Sequence, residues 1–248
     1  MTTKIYKPTL AAGQVYARIA GSAAALAPIG NVSELVLAIN ETTKKLQDYT
    51  KGGGGTYAQA KRVESVACNM KLHDLNATNL ARALFGTETA VAGATVTDEA
   101  HTAYRGGLIR LAHPGASAVG VALASAPSTP IAASGNYEVR AEGIFVLDDA
   151  AAIDDGDALL IDYTHPAYDL VEALTSSAKI LELSFGGVNE ADSGNPVIVD
   201  LFRVQIGAAK NLGLINDNFA ELQVEGEVLV DPSKTGAGTS RFFKVQMV

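Results

Sequence analysis

The stretch Lys61-Arg62-Val63-Glu64-Ser65-Val66-Ala67-Cys68-Asn69-Met70-Lys71-Leu72 alternates along its second half. Val66, Cys68, Met70 and Leu72 fall on one face, and Ser65, Ala67, Asn69 and Lys71 on the other. A period of two is the mark of a half-buried strand. The preceding apolar segment, Val32–Ile39, repeats it with Leu35, Leu37 and Ile39. Between the two lies a polar stretch from Asn40 to Lys51, then Gly52-Gly53-Gly54-Gly55. Four glycines in a row lose too much backbone entropy to favour a helix or strand interior, so this segment is expected to be a long, mobile loop. After Leu72 the period changes. Asp74 and Asn76 are helix N-cap types, Leu80, Ala81, Leu84 and Phe85 recur at helical spacing, and Gly86 sits where a glycine ends a helix. One short helix over Ala77–Phe85 is predicted, packed through Leu80, Leu84 and Phe85.

Further along, strands are predicted at Gly107–Ala112, Ala118–Ala124, Tyr137–Leu147, Asp157–Tyr163, Ala178–Phe185, Pro196–Ile206, Phe219–Val230 and Arg241–Val248, with a helical turn at Leu212–Asn218. Strands outnumber helices and do not alternate with them, which argues against a parallel doubly wound sheet. The expected fold is mainly β, an antiparallel sandwich or barrel with one flanking helix.

Composition narrows the function. The 248 residues carry 19 basic and 27 acidic side chains, a net −8, whereas proteins that hold nucleic acid through its phosphates are basic. Hydrophobic residues make up 48% of the chain, enough for a packed core, yet Trp is absent and aromatics are 6%. The single cysteine, Cys68, excludes an intrachain disulfide. No apolar run is long enough for a membrane span, and Met1–Leu10 lacks the apolar core of a signal peptide.

None of the motifs that carry chemistry is complete. Gly55 is followed by Thr56 rather than by the Lys-Ser/Thr of a phosphate loop. His73, His101, His113 and His165 are far apart and lack metal-ligand spacing. Asp154, Asp155 and Asp157 surround Gly156, but the calcium-loop pattern with its distal Glu is not met, and turn chemistry accounts for the cluster. Cys68 shares the apolar face of its strand, where a thiolate is disfavoured. No G-x-S-x-G elbow is present. No catalytic, cofactor or metal residue is therefore assigned.

One combination is more specific than these. Gly30-Asn31-Val32-Ser33-Glu34-Leu35 is followed by Glu41, Lys44-Lys45-Leu46, Asp48-Tyr49-Thr50, the glycine run, Thr56-Tyr57, Arg62-Val63, Leu72-His73-Asp74 and Asn79-Leu80-Ala81-Arg82-Ala83-Leu84-Phe85-Gly86. Later come Leu183-Ser184-Phe185-Gly186-Gly187-Val188-Asn189, Leu214-Ile215-Asn216-Asp217 and Phe242-Phe243-Lys244-Val245. This set resembles the major tail tube proteins of long-tailed, non-contractile bacteriophages. The resemblance implies a β-sandwich with a flanking helix. Six copies would form a ring, and rings would stack into a hollow tube that conducts DNA from capsid to host. Implied partners are further copies of the chain, a tape measure protein in the lumen, and tail terminator and distal tail proteins at the ends, with DNA passing through without tight binding and no membrane. The implied location is the virion tail, assembled in the host cytoplasm. A long loop reaching the neighbouring ring would fall at Asn40–Gln59, with Glu41, Lys44, Lys45, Leu46, Asp48, Tyr49 and Lys51 as contact residues, ordered only between rings.

The resemblance is carried by residues 1–100 and 169–248 and is thin over 101–168, which is expected to be a β-rich insertion. The excess of acidic residues is expected to give the lumen a wall that repels DNA. Rival readings are the inner tube of a contractile tail or type VI-like secretion system, a carbohydrate-binding sandwich, which the lack of Trp disfavours, and an enzyme with a non-local site.

Overall fold

The computed structural model describes residues 8–50, 52–215 and 217–248. The protein is mainly β and antiparallel, with one α-helix. It divides into two compact units, residues 1–88 with 171–248, and residues 89–170. The elements leading to the second unit are β1 (Ala11–Ile19), β2 (Ala27–Pro28), β3 (Val32–Gln47), β4 (Thr56–Leu72), α1 (Ala77–Ala83) and β5 (Thr87–Val91). The second unit holds β6 (Ala94–Thr102), β7 (Leu108–Arg110), β8 (Ser117–Leu123), β9 (Pro130–Ile131), β10 (Tyr137–Arg140), β11 (Gly143–Val146) and β12 (Ala158–His165). The chain then returns through β13 (Tyr168–Glu172) to β14 (Ile180–Asn189), β15 (Asn195–Ile206), β16 (Leu222–Val228) and β17 (Phe243–Met247). The segments β5 and β13, which lead out and back, pair with each other.

The first unit is one sheet in the order β2-β1-β14-β15-β16-β4-β3, with β17 also paired to β15. Every strand except β2 contributes to one core. Val15 and Ala17 come from β1, Val66, Cys68, Met70 and Leu72 from β4, and Leu181 and Leu183 from β14. Leu201 and Val204 of β15 and Leu222, Val224 and Val228 of β16 complete it. A single sheet that turns nearly all its strands onto one core must curl round it, as twisted sheets do. The second unit has a sheet β10-β11-β7 and a sheet β6-β12-β8-β9 around a separate core that includes Ile144, Val146, Leu159, Ile161 and Tyr163.

Three expectations are corrected here. Asn40–Gln47 and Thr56–Gln59 are strand, not loop: β3 and β4 pair from Val32↔Leu72 out to Gln47↔Thr56, leaving only 48–55 as the connection. The stretch Tyr137–Leu147 is two strands, β10 and β11, joined by a tight reversal in which Arg140 pairs with Gly143. No helical turn forms at Leu212–Leu214, Ile215, Asp217 or Asn218, the described part of that segment.

The helix also differs. Asn76 caps it, accepting the backbone N–H of Asn79 on its side chain, but it ends at Ala83, with Leu84 as C-cap and Phe85 in the left-handed region at φ +51. Gly86 N–H donates back to Ala81 O, the six-to-one bond of a Schellman ending. Phe85 thus takes the position expected for glycine, while Gly86 is needed because a Cβ there would meet Glu172 O at 2.6 Å. The face that enters the core is Asn79, Ala81 and Ala83, with Ala83 in the cluster and Leu80 packed at its margin. Leu84 and Phe85 are only half-buried.

Candidate functional site

The β3–β4 hairpin changes character along its length. Near the sheet, Val66, Cys68, Met70 and Leu72 are buried. Beyond Ser65, every residue from Thr56 to Glu64 is exposed, as are most of Asn40–Gln47. The outer part is a two-stranded arm with a core on neither face. At about 3.3 Å per residue, its eight-residue strand reaches roughly 25 Å.

Local chemistry holds the arm as strand. Thr42, Thr43 and Val63 are β-branched and suit extended backbone. Glu41 pairs with Lys61 at 3.5 Å, Thr42 Oγ1 donates to Glu64 Oε2 at 2.6 Å, and Asn40 Nδ2 donates to Ser65 Oγ at 3.0 Å. At the tip, Asp48 N–H donates to Gly55 O at 2.9 Å. The Thr50 hydroxyl and backbone N–H both donate to Asp48 Oδ1, and together they hold that carboxyl below its ordinary range. Gly53, Gly54 and Gly55 all have positive φ, which is where the glycine run is required.

The arm separates the residues expected to make contacts. Register places Glu41, Thr43 and Lys45 opposite Val63, Lys61 and Gln59 on one face, and Thr42, Lys44 and Leu46 opposite Arg62, Ala60 and Ala58 on the other. Asp48 and Tyr49 lie at the tip, Tyr49 being 81% exposed. Lys51 lies outside the described residues. Ile39, Leu46, Tyr57 and Val63 add further exposed apolar groups. Among the described residues, no strand pairs with the outer edge of β3.

At the root of the arm, residues scattered through the sequence pattern converge. Asp74 Oδ2 accepts the backbone N–H of Asn31 at 2.8 Å. His73 N–H donates to Asn31 O, and the His73 ring shares a hydrogen bond with Ser33 Oγ at 2.8 Å. Asn79, 4% exposed, donates from Nδ2 to both Ile29 O and Asp74 O at 2.8 Å. Gly30 has φ +90, and a Cβ there would collide with the Asp74 side chain. Gly30, Asn31, Ser33, His73, Asp74 and Asn79 are therefore one polar clamp that fixes where β3 begins. Spacing alone did not reveal it, because its partners are more than forty residues apart for the longest bonds.

Apart from His73, the residues considered for chemistry sit elsewhere. Cys68 is buried, and burial pushes its thiol up to about 12. Asp154 pairs with Arg105 at 2.6 Å, Asp155 accepts Arg105 N–H, and Asp157 accepts Asp154 N–H. His101 binds Glu99 Oε1 at 2.6 Å, and His113 and His165 stack with ring centres 4.0 Å apart. Burial pushes the Glu99 carboxyl up, but hydrogen bonds from Tyr163, His101 and Ala112 N–H outweigh it and hold the group low. Among the described residues, no group of three or more His, Cys, Asp or Glu could hold a metal, and no helix is long and apolar enough to cross a membrane.

Charge divides sharply between the units. Residues 89–170 contain 3 basic and 11 acidic side chains, leaving 16 of each in the first unit. The whole net charge of −8 therefore belongs to the second unit.

Residues 8–246 match the family model described as protein of unknown function UCP028589. No curated protein matches the chain.

Proposed function

The chain belongs to that family, matched over nearly its full length, and from its own residues we propose that it is a structural subunit of a phage tail tube, built by association with copies of itself. The observation that carries this reading is the β3–β4 arm: some 25 Å of paired strand with no core of its own. An isolated two-stranded hairpin is marginal in water, and an unpaired edge is a template for another chain. Both are resolved when copies pair edge to edge and the curled sheets join into a closed ring. The opposite edge is also open, since β2 covers β1 only at Tyr16 and Ala17.

Electrostatics supports a second copy as the partner. The first unit is neutral in sum, and near-zero net charge favours association. Within it, residues 40–64 carry five basic and three acidic groups against eleven and thirteen in the remainder, so an arm and the body of another copy attract. The first unit, neutral in sum, brings no basic surplus that would hold DNA in a wall built from it. In this reading the second unit is an addition to the tube fold, and the protein has no catalytic role.

Negative-stain electron microscopy of the purified protein tests the proposal. Rings or tubes of uniform diameter are expected. A protein that stays monomeric at high concentration, with normal tails assembling in virions that lack it, overturns the reading.

A further inference from the structure

The connection from β15 to β16, residues 207–221, carries Leu214, Ile215 and Phe219 at 85%, 97% and 95% exposure. Three large apolar side chains this bare within six positions form a patch of the kind that marks a protein contact. The same unit presents an open groove of about 500 Å³, whose lining includes Val15, Val32, Leu35, Leu37, Phe185 and Val199, with Ser33 and Glu34 also along it. That volume lies within the roughly 300–1,000 Å³ of clefts that enclose drug-sized molecules, room enough for a few such side chains. The loop leaves β15 after Ile206, about 23 Å along the strand from Val199. The high exposure of the three side chains shows that they do not fill the groove of their own chain.

We propose that Leu214, Ile215 and Phe219 of one copy insert into the β1–β3–β15 groove of the next. The proposal rests on the self-assembly reading and adds to it the residues and the direction of one contact. A second copy is the fitting occupant because this unit carries 16 basic and 16 acidic groups and so does not repel itself. Knob and socket on one surface make the contact head-to-tail, the kind that closes into rings or runs on as a filament. The contact is small. A buried Phe contributes on the order of 150–250 Å², against roughly 800 Å² per partner in a standard stable interface. A single knob therefore holds weakly and gains its effect when strand pairing and many repeats act together.

The test uses two variants, Ile215→Cys on the loop and Ala11→Cys on the groove lining. Both positions are exposed, so the fold, checked by circular dichroism, is retained. Native Cys68 is buried and does not compete. The variants are mixed at high concentration and treated with a short bismaleimide. A cross-linked dimer is expected from the mixture and not from either variant alone. It should fall at least tenfold when Phe219→Asp is added to the Ile215→Cys chain, as a loss of about 1.4 kcal/mol would give. Absence of the cross-link in the mixture overturns the contact. Tubes without the cross-link remove the knob and leave the tube reading standing, whereas the cross-link without tubes supports the knob and removes the tube.

Discussion

Replacing Asn79 by Ala isolates the clamp at the root of the arm. The side chain is 4% exposed and satisfies two backbone carbonyls, Ile29 O before β3 and Asp74 O before the helix, each at 2.8 Å. The alanine variant leaves the buried Ile29 O, and the more exposed Asp74 O, without that donor. An orphaned buried polar group costs about 1–3 kcal/mol. Partial access of water to the two carbonyls brings the expected total to about 2–4 kcal/mol. For a unit of this size a loss of 1 kcal/mol lowers Tm by roughly 2–4 °C, so the first unit should melt roughly 4–16 °C earlier. Asn79→Asp should be worse than alanine, since it sets a carboxylate against two carbonyl oxygens. Differential scanning calorimetry at neutral pH reads both variants, with the transition of residues 89–170 as an internal reference. An Asn79→Ala protein within 1 °C of the parent, or an Asn79→Asp protein more stable than Asn79→Ala, would refute the argument that these two bonds hold the start of β3.

Three further outcomes are expected. Shortening the arm by replacing Thr43–Lys61 with Asn-Gly, a turn suited to a two-residue hairpin, should leave Tm nearly unchanged and abolish long tubes in electron micrographs; normal tubes would show the arm dispensable. Leu183→Ala, at a fully buried site, should cost about 2–5 kcal/mol in urea unfolding, while Leu84→Ala, at the half-buried helix end, should cost well under that; equal losses would mean the helix ending is misplaced. Glu99 has a lowered folded pKa, so its contribution is full above the ordinary carboxylate range and is lost as pH falls through the lowered value; the urea midpoint of the second unit should drop in acid, and Glu99→Gln should flatten that limb, an unchanged limb counting against it.

Periodicity reports burial, and it was informative only where one face is buried. Val66 to Leu72 reads as strand because alternate residues enter the core. The arm could not be read this way, since Thr56–Glu64 is exposed on both faces and its polar pattern is that of a loop. β1 was hidden for a related reason: Ala11, Ala12 and Gly13 are small, and only Val15 and Ala17 of that strand enter the core. The strand needs a glycine, as a Cβ at position 13 would strike the backbone of Gly186 and Gly187. The helix cap at Asn76 was legible because capping is local chemistry, whereas its ending depended on the distant Glu172 carbonyl. The second unit begins at Thr89 rather than at residue 101 because β6 pairs with β12 from Ala94 to Thr102, a long-range choice that the weak Thr87–Ala133 signal does not announce.

The pairing of β1 with β14 joins Ile19 to Leu181, and this sets an order of events during synthesis. A ribosome adding roughly 5–20 residues per second takes on the order of ten to thirty seconds between the two strands. In that interval the β3–β4 hairpin and residues 89–170 have all their own partners, while β1 and the inner edge of β4 wait for β14 and β16. In the proposed assembly the arm would thus emerge well before β14 to β16 complete a body for another copy to grip, and the timing of manufacture would itself guard against growth from unfinished subunits.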